Sequence, residues 1–358
     1  MRTVLAKELI RIAGAGISGL TCAINLCIEG YKVIVFEKRD EVGARFNCDF
    51  QGLENWSSAE DALTTLAKMN IQTNFYYKGF RETALIDHSL KKYTITSTDD
   101  RFGVYMLKRG REVDCLDQSL KKQAIASGVE IEFNAKNKET YTDVIATGPR
   151  YPSGIVYGIK GTADHDDVTA LLFDDIGAPK GYAYMAILDG QVTLASVMMR
   201  DFTTARERFS GVRDHFCRLY NLDIKEPKQF SGYGNFFLKR TYCDHGKFYI
   251  GESAGLQDYL LGFGMRHAFV SGYLASQSII HGLDYNTLLK TTVLPLIKSS
   301  LVNRFSYEKI GNLGYEKLLK KWSSSTDPLK HLRTWYNYTV LKRFLYPVAC
   351  KSLHVRKL

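Results

Sequence analysis

Residues 9–13 read as a buried parallel strand, and after a glycine-rich turn Ile17, Leu20, Ile24 and Cys27/Ile28 recur at helical spacing until Gly30 stops the helix. The run Lys32-Val-Ile-Val-Phe36 is a second strand, closed by Glu37. A polar helical stretch covers residues 57–69, and residues 76–99 alternate polar and apolar positions as antiparallel strands do. Tyr105-Met-Leu-Lys-Arg109 is a further short strand. Leu116, Leu120 and Ala124 then share a helical face that Gly128 ends, and residues 129–133 and 143–148 return to strand patterns. Alternation from about 153 to 200 predicts an antiparallel sheet, and Phe209, Val212, Phe216 and Leu219 mark one face of a helix over 204–220. A second strand and turn, Lys247-Phe-Tyr-Ile-Gly-Glu-Ser-Ala-Gly255, leads to a long helix that opens in Gly262-Phe-Gly264 and ends at Gly282. No internal repeat or low-complexity run is visible.

This order predicts an α/β protein, α+β taken as a whole. A Rossmann-type doubly wound nucleotide-binding domain is expected from residues 1–75, 100–150 and 235–285; the choice of FAD for it rests on the second turn. Residues 76–99 and 151–234 would form an inserted antiparallel-sheet substrate domain, and residues 286–358 a basic C-terminal helical module.

The chemistry of the first turn follows from Gly14-Ala-Gly16-Ile-Ser-Gly19 lying between a strand and a helix, with Glu37 closing the next strand. Gly14 permits the tight turn, Gly16 lets a pyrophosphate approach the backbone, and Gly19 lets the helix pack on the strand. The pyrophosphate would sit on the helix N-terminus, where free amides and the macrodipole favour an anion. Glu37 can accept both ribose hydroxyls of an adenosine, and its charge repels a 2'-phosphate, which argues against NADP. FAD and NAD share this fingerprint, so the rest of the chain must choose between them.

At 358 residues, with 45% hydrophobic and 24% charged residues, the chain is an ordinary folded protein large enough for two interleaved domains. No apolar run approaches the roughly twenty residues that span a bilayer, and no signal peptide is read, so a cytoplasmic protein is expected. Seven cysteines without paired spacing indicate neither zinc nor a disulfide framework. Asp164-His165-Asp166 reads as a solvated loop, and no metal site is expected. The net charge of +10 is concentrated beyond Asn286, where 14 Lys and Arg face 3 Asp and Glu, leaving about −1 for everything before it. No nucleic-acid-binding motif accompanies that charge, so no nucleic-acid partner is expected.

The second turn decides for flavin. Gly251-Glu-Ser-Ala-Gly255 with Leu261-Gly-Phe-Gly-Met-Arg-His-Ala268 resembles the second FAD motif of the geranylgeranyl reductase family, a Gly-Asp-Ala-Ala-Gly run followed by a Gly-x-Gly-Ile-Arg-x-Ala helix. Three further matches carry the resemblance to about residue 281. Asn47-Cys48-Asp49 stands where archaeal-type members carry Cys-Gly near the flavin. Arg109, with Arg111 as the alternative, resembles the arginine that lies along FAD. Pro179-Lys-Gly-Tyr-Ala-Tyr184 resembles the Pro-Gly-Gly-Tyr-x-Trp substrate motif, with Tyr184 in place of the tryptophan.

The resemblance implies an FAD-dependent oxidoreductase that moves hydride to or from a carbon–carbon bond of a hydrophobic, isoprenoid substrate, with an unknown electron donor. The expected cofactor contacts are Gly14, Gly16, Ser18, Gly19, Glu37, Lys38, Arg45, Arg109, Gly148, Gly251, Glu252, Gly262, Gly264 and Met265. Cys48, Tyr182 and Tyr184 are the catalytic candidates, as a proton donor or as cavity walls, whereas His267 is expected to be structural. Two alternatives stay open: an FAD monooxygenase or halogenase, and a non-catalytic prenyl-binding escort. The first is weakened by Ala146-Thr-Gly-Pro-Arg150, which stands where aromatic hydroxylases carry Asp-Gly.

Residues 288–302 are apolar with a kink expected at Pro295, and the run from Trp335 to Tyr346 interleaves rings with Lys and Arg. That pattern suits a helix lying at the surface of an anionic membrane, the alternative being a lid that closes the substrate domain.

Overall fold

The computed structural model describes residues 8–98, 100–136 and 139–357. Its first layer is a six-stranded sheet in the order Cys243–Asp244, Lys247–Tyr249, Val144–Ile145, Leu9–Ala13, Lys32–Phe36, Glu130–Glu132. All neighbours are parallel except the first pair, which forms a hairpin. Leu9 pairs with Lys32 and Ala13 with Phe36, so the glycine turn and Glu37 emerge at the same sheet edge. The strands predicted over 129–133 and 143–148 contract to three and two residues.

Helix Ile17–Ile28 is buried from Ile17 to Leu26 because Met265–His281 packs directly against it. Small residues make that approach possible. A Cβ on Gly272 would lie 2.3 Å from the Ser18 carbonyl oxygen; separately, one on Gly19 would lie 2.0 Å from that of Gly14, so Gly19 lets the first helix sit against its own turn.

The second layer is a seven-stranded sheet, ordered Lys225–Gly234, Gly154–Thr162, Gln191–Met198, Tyr182–Leu188, Val168–Phe173, Glu82–Asp87, Lys92–Thr96. Only the pair Val168–Phe173 and Glu82–Asp87 is parallel. Helix Ala205–Leu219 buries Phe209, Val212 and Phe216 against one face, with Ile159, Ile187 and Leu194. The two-residue period then turns Tyr182 and Tyr184 to the opposite face.

A third, three-stranded sheet places Val104–Arg109 between Asp49–Glu54 and Tyr77–Phe80. Thus Tyr77–Phe80 leaves the hairpin partners that follow it in sequence. Asp49–Glu54 does not read as a strand because its two large apolar residues, Phe50 and Leu53, are three positions apart and Gly52 interrupts the run. That glycine is required by packing, since a Cβ would meet the Phe263 ring at 2.7 Å.

The C-terminal residues form helices Tyr285–Thr292, Leu294–Ser323, Pro328–Trp335 and Val340–Ser352. The kink expected at Pro295 is not there: Pro295 occupies the first turn of a helix, where a missing N–H costs nothing. The kink lies at Gly311, whose φ of 58° is left-handed. Residues 288–302 are not a lipid-facing surface either. Leu289, Ile297 and Leu301 are fully buried in the same core as the first sheet, while Tyr315, Leu319 and Trp322 close the second. Among the described residues no helix is long and apolar enough to cross a membrane.

Candidate functional site

One cavity of about 750 Å³ lies between the layers, within the ~300–1,000 Å³ range of ligand pockets. Its polar end is the first glycine turn. Gly14 has φ +107°, and a Cβ there would strike the Ala146 carbonyl oxygen at 2.5 Å, so this position is fixed by the fold itself. Gly16 differs: its backbone is extended (φ −86°, ψ −176°) and a Cβ would meet nothing within 4 Å. The space in front of it belongs to the cavity.

The helix that begins there has no side-chain cap, and neither does Met265–His281, whose N-cap Gly264 also lines the cavity. Two helix N-termini with uncapped amides therefore face one cavity, an arrangement suited to an anion such as a pyrophosphate. The residues present fit an adenine dinucleotide on this ground.

Glu37 closes this end. Its carboxylate accepts from the amides of Ala15 (3.0 Å) and Arg39 (3.0 Å), which ties the end of the second strand to the glycine turn. Lys38 lines the cavity beside it. Arg45, in the loop after the second strand, and Glu252, in the second turn 207 positions away, form a 2.7 Å ion pair, and the Arg45 guanidinium also donates to the Tyr233 carbonyl. Gly148 packs against Arg45, since a Cβ there would be 3.5 Å from its Nη1. Gly19 and Gly251 act behind the lining: Gly251, with φ +58°, admits the Ser18 hydroxyl where a Cβ would come within 2.4 Å.

Arg109 lines the cavity and is held rigidly. Its Nε and Nη2 each donate to the buried Asp117 carboxylate at 2.9 Å, and its guanidinium lies 4.1 Å from the Phe46 ring centroid. Arg111 instead pairs with Asp40 on the surface (2.7 and 2.9 Å), so the structure brings Arg109, not Arg111, to the cavity. No sequence spacing singles out Asp117, whose role depends on a strand and a helix meeting.

The far end of the cavity is apolar, with Trp56, Met106, Leu171, Phe230 and Phe263 among its walls. Tyr182 and Tyr184 line it, and each phenol donates to a backbone carbonyl, Leu261 at 2.7 Å and Phe50 at 3.2 Å. Burial pushes both phenols well above the ordinary tyrosine range. They therefore stay neutral and build the wall. Asp49, from the motif around Cys48, and Gln51, which sequence reasoning missed, are polar groups in this region. The Gln51 amide donates to Asp49 at 2.9 Å, and Asp49 is buried.

Cys48 is not among the cavity-lining residues, although Asn47 and Asp49 on either side of it are. With a left-handed φ of 61°, it turns its thiol toward Gly110, where a Cβ would come within 2.6 Å of Sγ. It also lies beside Cys115, whose own thiol is pushed up by burial and then by Cys48.

The Gly262–Gly264 loop borders the cavity on one side and a small polar void on the other. Gly262 has φ +76°, and its amide donates to the Asp258 carbonyl at 3.0 Å. The Asp258 carboxylate accepts from the amides of Leu261 (2.7 Å) and Leu260 (3.3 Å) and from the Tyr336 hydroxyl (3.3 Å). Burial raises Asp258 to about 6, with those amides working against the shift. His267 faces the same void and burial lowers it to about 4, which leaves it neutral and fits the structural role expected of it. Met265 opens the following helix and lines the cavity.

A family model for an NAD(P)-binding Rossmann-like domain matches residues 12–55. No curated protein sequence matches this chain. Solved structures do. A geranylgeranyl bacteriochlorophyll reductase-like protein from Thermoplasma acidophilum superposes with a TM-score of 0.70 at 17% identity, covering 97% of this chain and 99% of that one. The flavin-dependent brominase Bmp2 gives 0.63 at 13% identity, covering 96% and 98%. A flavoprotein/dehydrogenase from Cytophaga hutchinsonii gives 0.61 at 13% identity, covering 97% and 99%. At these identities the likeness establishes the fold over essentially the whole chain.

Proposed function

We propose that this chain is an FAD-dependent oxidoreductase that transfers hydride to or from a carbon–carbon bond of a hydrophobic, isoprenoid substrate. The observation that carries the reading is the single cavity that joins an open, anion-accepting glycine turn to an aromatic wall. The turn suits the adenosine and pyrophosphate of a dinucleotide, and the wall suits an apolar chain. The likeness to a reductase-like protein supports the same direction.

Bound FAD would supply the hydride chemistry, while the protein supplies position and charge. Gly16, Ser18 and the first helix would hold the pyrophosphate, and Glu37 the ribose hydroxyls. Arg45 and Glu252, paired in the cavity lining, would orient the middle of the cofactor. The second helix N-terminus would favour negative charge on whatever lies against Gly262–Gly264. Tyr182 and Tyr184 would shape the substrate chamber. With neither phenol free of its carbonyl nor the Cys48 thiol in the lining, the proton at the second carbon would come from water.

Oxygen-dependent chemistry is the second reading, favoured by the likeness to a brominase. The decisive experiment reduces the protein with dithionite without oxygen, adds a panel of polyprenyl lipids, and follows flavin reoxidation and product mass. A gain of two mass units with no oxygen present supports the hydride reading. Turnover only in O2, with labelled oxygen in the product, establishes the second. Reconstituted FAD protein that neither reoxidises with nor modifies any lipid favours the escort alternative.

A further inference from the structure

Helix Val340–Ser352 is apolar on both its faces. Toward the protein it turns Leu345, Tyr346, Ala349 and Cys350, which join the core beneath the first sheet. It also turns in the amine of Lys342, which donates to the Ser299 hydroxyl at 2.6 Å and to the Trp335 carbonyl. Burial lowers that amine to about 8. Toward solvent the helix presents Val340, Leu341, Phe344, Pro347 and Val348, with Phe344 76% exposed and Leu341 67% exposed. At 100° per residue these five positions fall within an arc of about 120°. A surface helix ordinarily turns its charges out and its apolar side chains in; here a ring and several aliphatic side chains also face out, and one lysine amine is turned in.

The charge around this face bears on what could cover it. From Pro328 to Leu358 the sequence holds seven Lys and Arg and no Asp or Glu. Arg343 borders the apolar arc and Lys351 stands at its C-terminal end, both exposed. A second copy of the chain on this face would bring these cations together with no acid from the segment to neutralise them. An anionic bilayer offers the complement, hydrocarbon for the rings below a layer of phosphates for the cations.

We propose that helix Val340–Ser352 docks the protein on an anionic lipid surface, Leu341 and Phe344 entering the acyl boundary while Arg343 and Lys351 meet headgroups. This surface differs from the one expected from sequence. The chain breaks after Trp335, whose indole packs on Trp322 at 5.3 Å, and Tyr336 is buried, so the first rings of the basic aromatic run face inward. Only the part beyond Thr339, which caps the new helix by accepting from the Lys342 amide, faces out.

The test is co-sedimentation of the full chain with phosphatidylcholine vesicles, with and without phosphatidylserine, at low and high salt. The wild type is expected to pellet with phosphatidylserine vesicles at low salt and to be released by high salt. The pair Leu341→Ser with Phe344→Ser should lower the partition at least about tenfold, as should the pair Arg343→Glu with Lys351→Glu. All four sites are exposed, so the thermal midpoint should not move. Wild type left in the supernatant, or serine variants that pellet as wild type does, overturns the proposal. So does a dimer, seen by ultracentrifugation, that Phe344→Ser dissociates while no vesicle binds.

Discussion

Replacing Gly16 by valine separates cofactor binding from folding, because the structure gives this glycine no packing neighbour. Its φ of −86° and ψ of −176° lie in extended space that β-branched residues occupy readily. The new Cβ would meet no protein atom within 4 Å. The stability of the cofactor-free protein should therefore change by no more than about 1 kcal/mol, the range of Gly replacements at compatible backbone and of N-cap exchanges. The added methyls would instead fill the cavity in front of the first helix, where a pyrophosphate must come within hydrogen-bonding distance of the amides. Losing two charge-assisted hydrogen bonds of ~1.5–3 kcal/mol each raises Kd by roughly two to four orders of magnitude. Gly19→Ala is the contrast: its Cβ would lie 2.0 Å from the Gly14 carbonyl oxygen, so the strand and helix must separate and the fold itself should weaken. FAD titration by flavin fluorescence, paired with thermal denaturation of the cofactor-free proteins, reads both quantities. A Gly16→Val protein that binds FAD within about threefold of wild type would refute the placement of the pyrophosphate. One that melts as low as Gly19→Ala would refute the claim that Gly16 is free of packing.

Asp117→Ala should destabilise the protein by about 3–5 kcal/mol in urea denaturation, because it leaves the buried Arg109 guanidinium without its carboxylate; a loss under about 1 kcal/mol would contradict this. Asp258 and His267 give opposing pH dependence. Burial raises Asp258 from 3.8 to about 6, so its contribution to stability is full below pH 4 and is lost as pH rises through 6. His267, lowered from 6.5 to about 4, contributes above pH 6.5 and is lost as pH falls toward 4. Asp258→Asn removes the first slope only, so its stability relative to wild type should rise by up to ~3 kcal/mol between pH 4 and 6, and parallel urea midpoints across that range would contradict the assignment.

The elements legible in the sequence are those whose signal is local. The first strand, turn and helix carry a period, a stop and three glycines within twenty residues, and each glycine performs the packing or clearance its position implies. Helix 265–281 and the antiparallel sheet beyond residue 153 were equally plain. What stayed hidden depends on partners distant in the chain. The strand Asp49–Glu54 carries no two-residue apolar period, since Phe50 and Leu53 are three apart and Gly52 is there to admit the Phe263 ring. Asp117 becomes part of the site only because a helix brings it under Arg109, and Asp258 only because a loop folds over it. The C-terminal run misled for the same reason: its rings and cations alternate, but a break at residues 336–339 sends Tyr336 into the core and Phe344 into solvent.

The central claim is that the cavity holds FAD. Heat-released chromophore from the purified protein, or from protein reconstituted with a mixture of FAD, FMN, NAD and NADP, can be identified by mass and counted per chain. The account predicts FAD at one per chain, with NADP excluded by the Glu37 carboxylate. Protein that retains no flavin and cannot be loaded with it, or that selects NADP, would contradict the account.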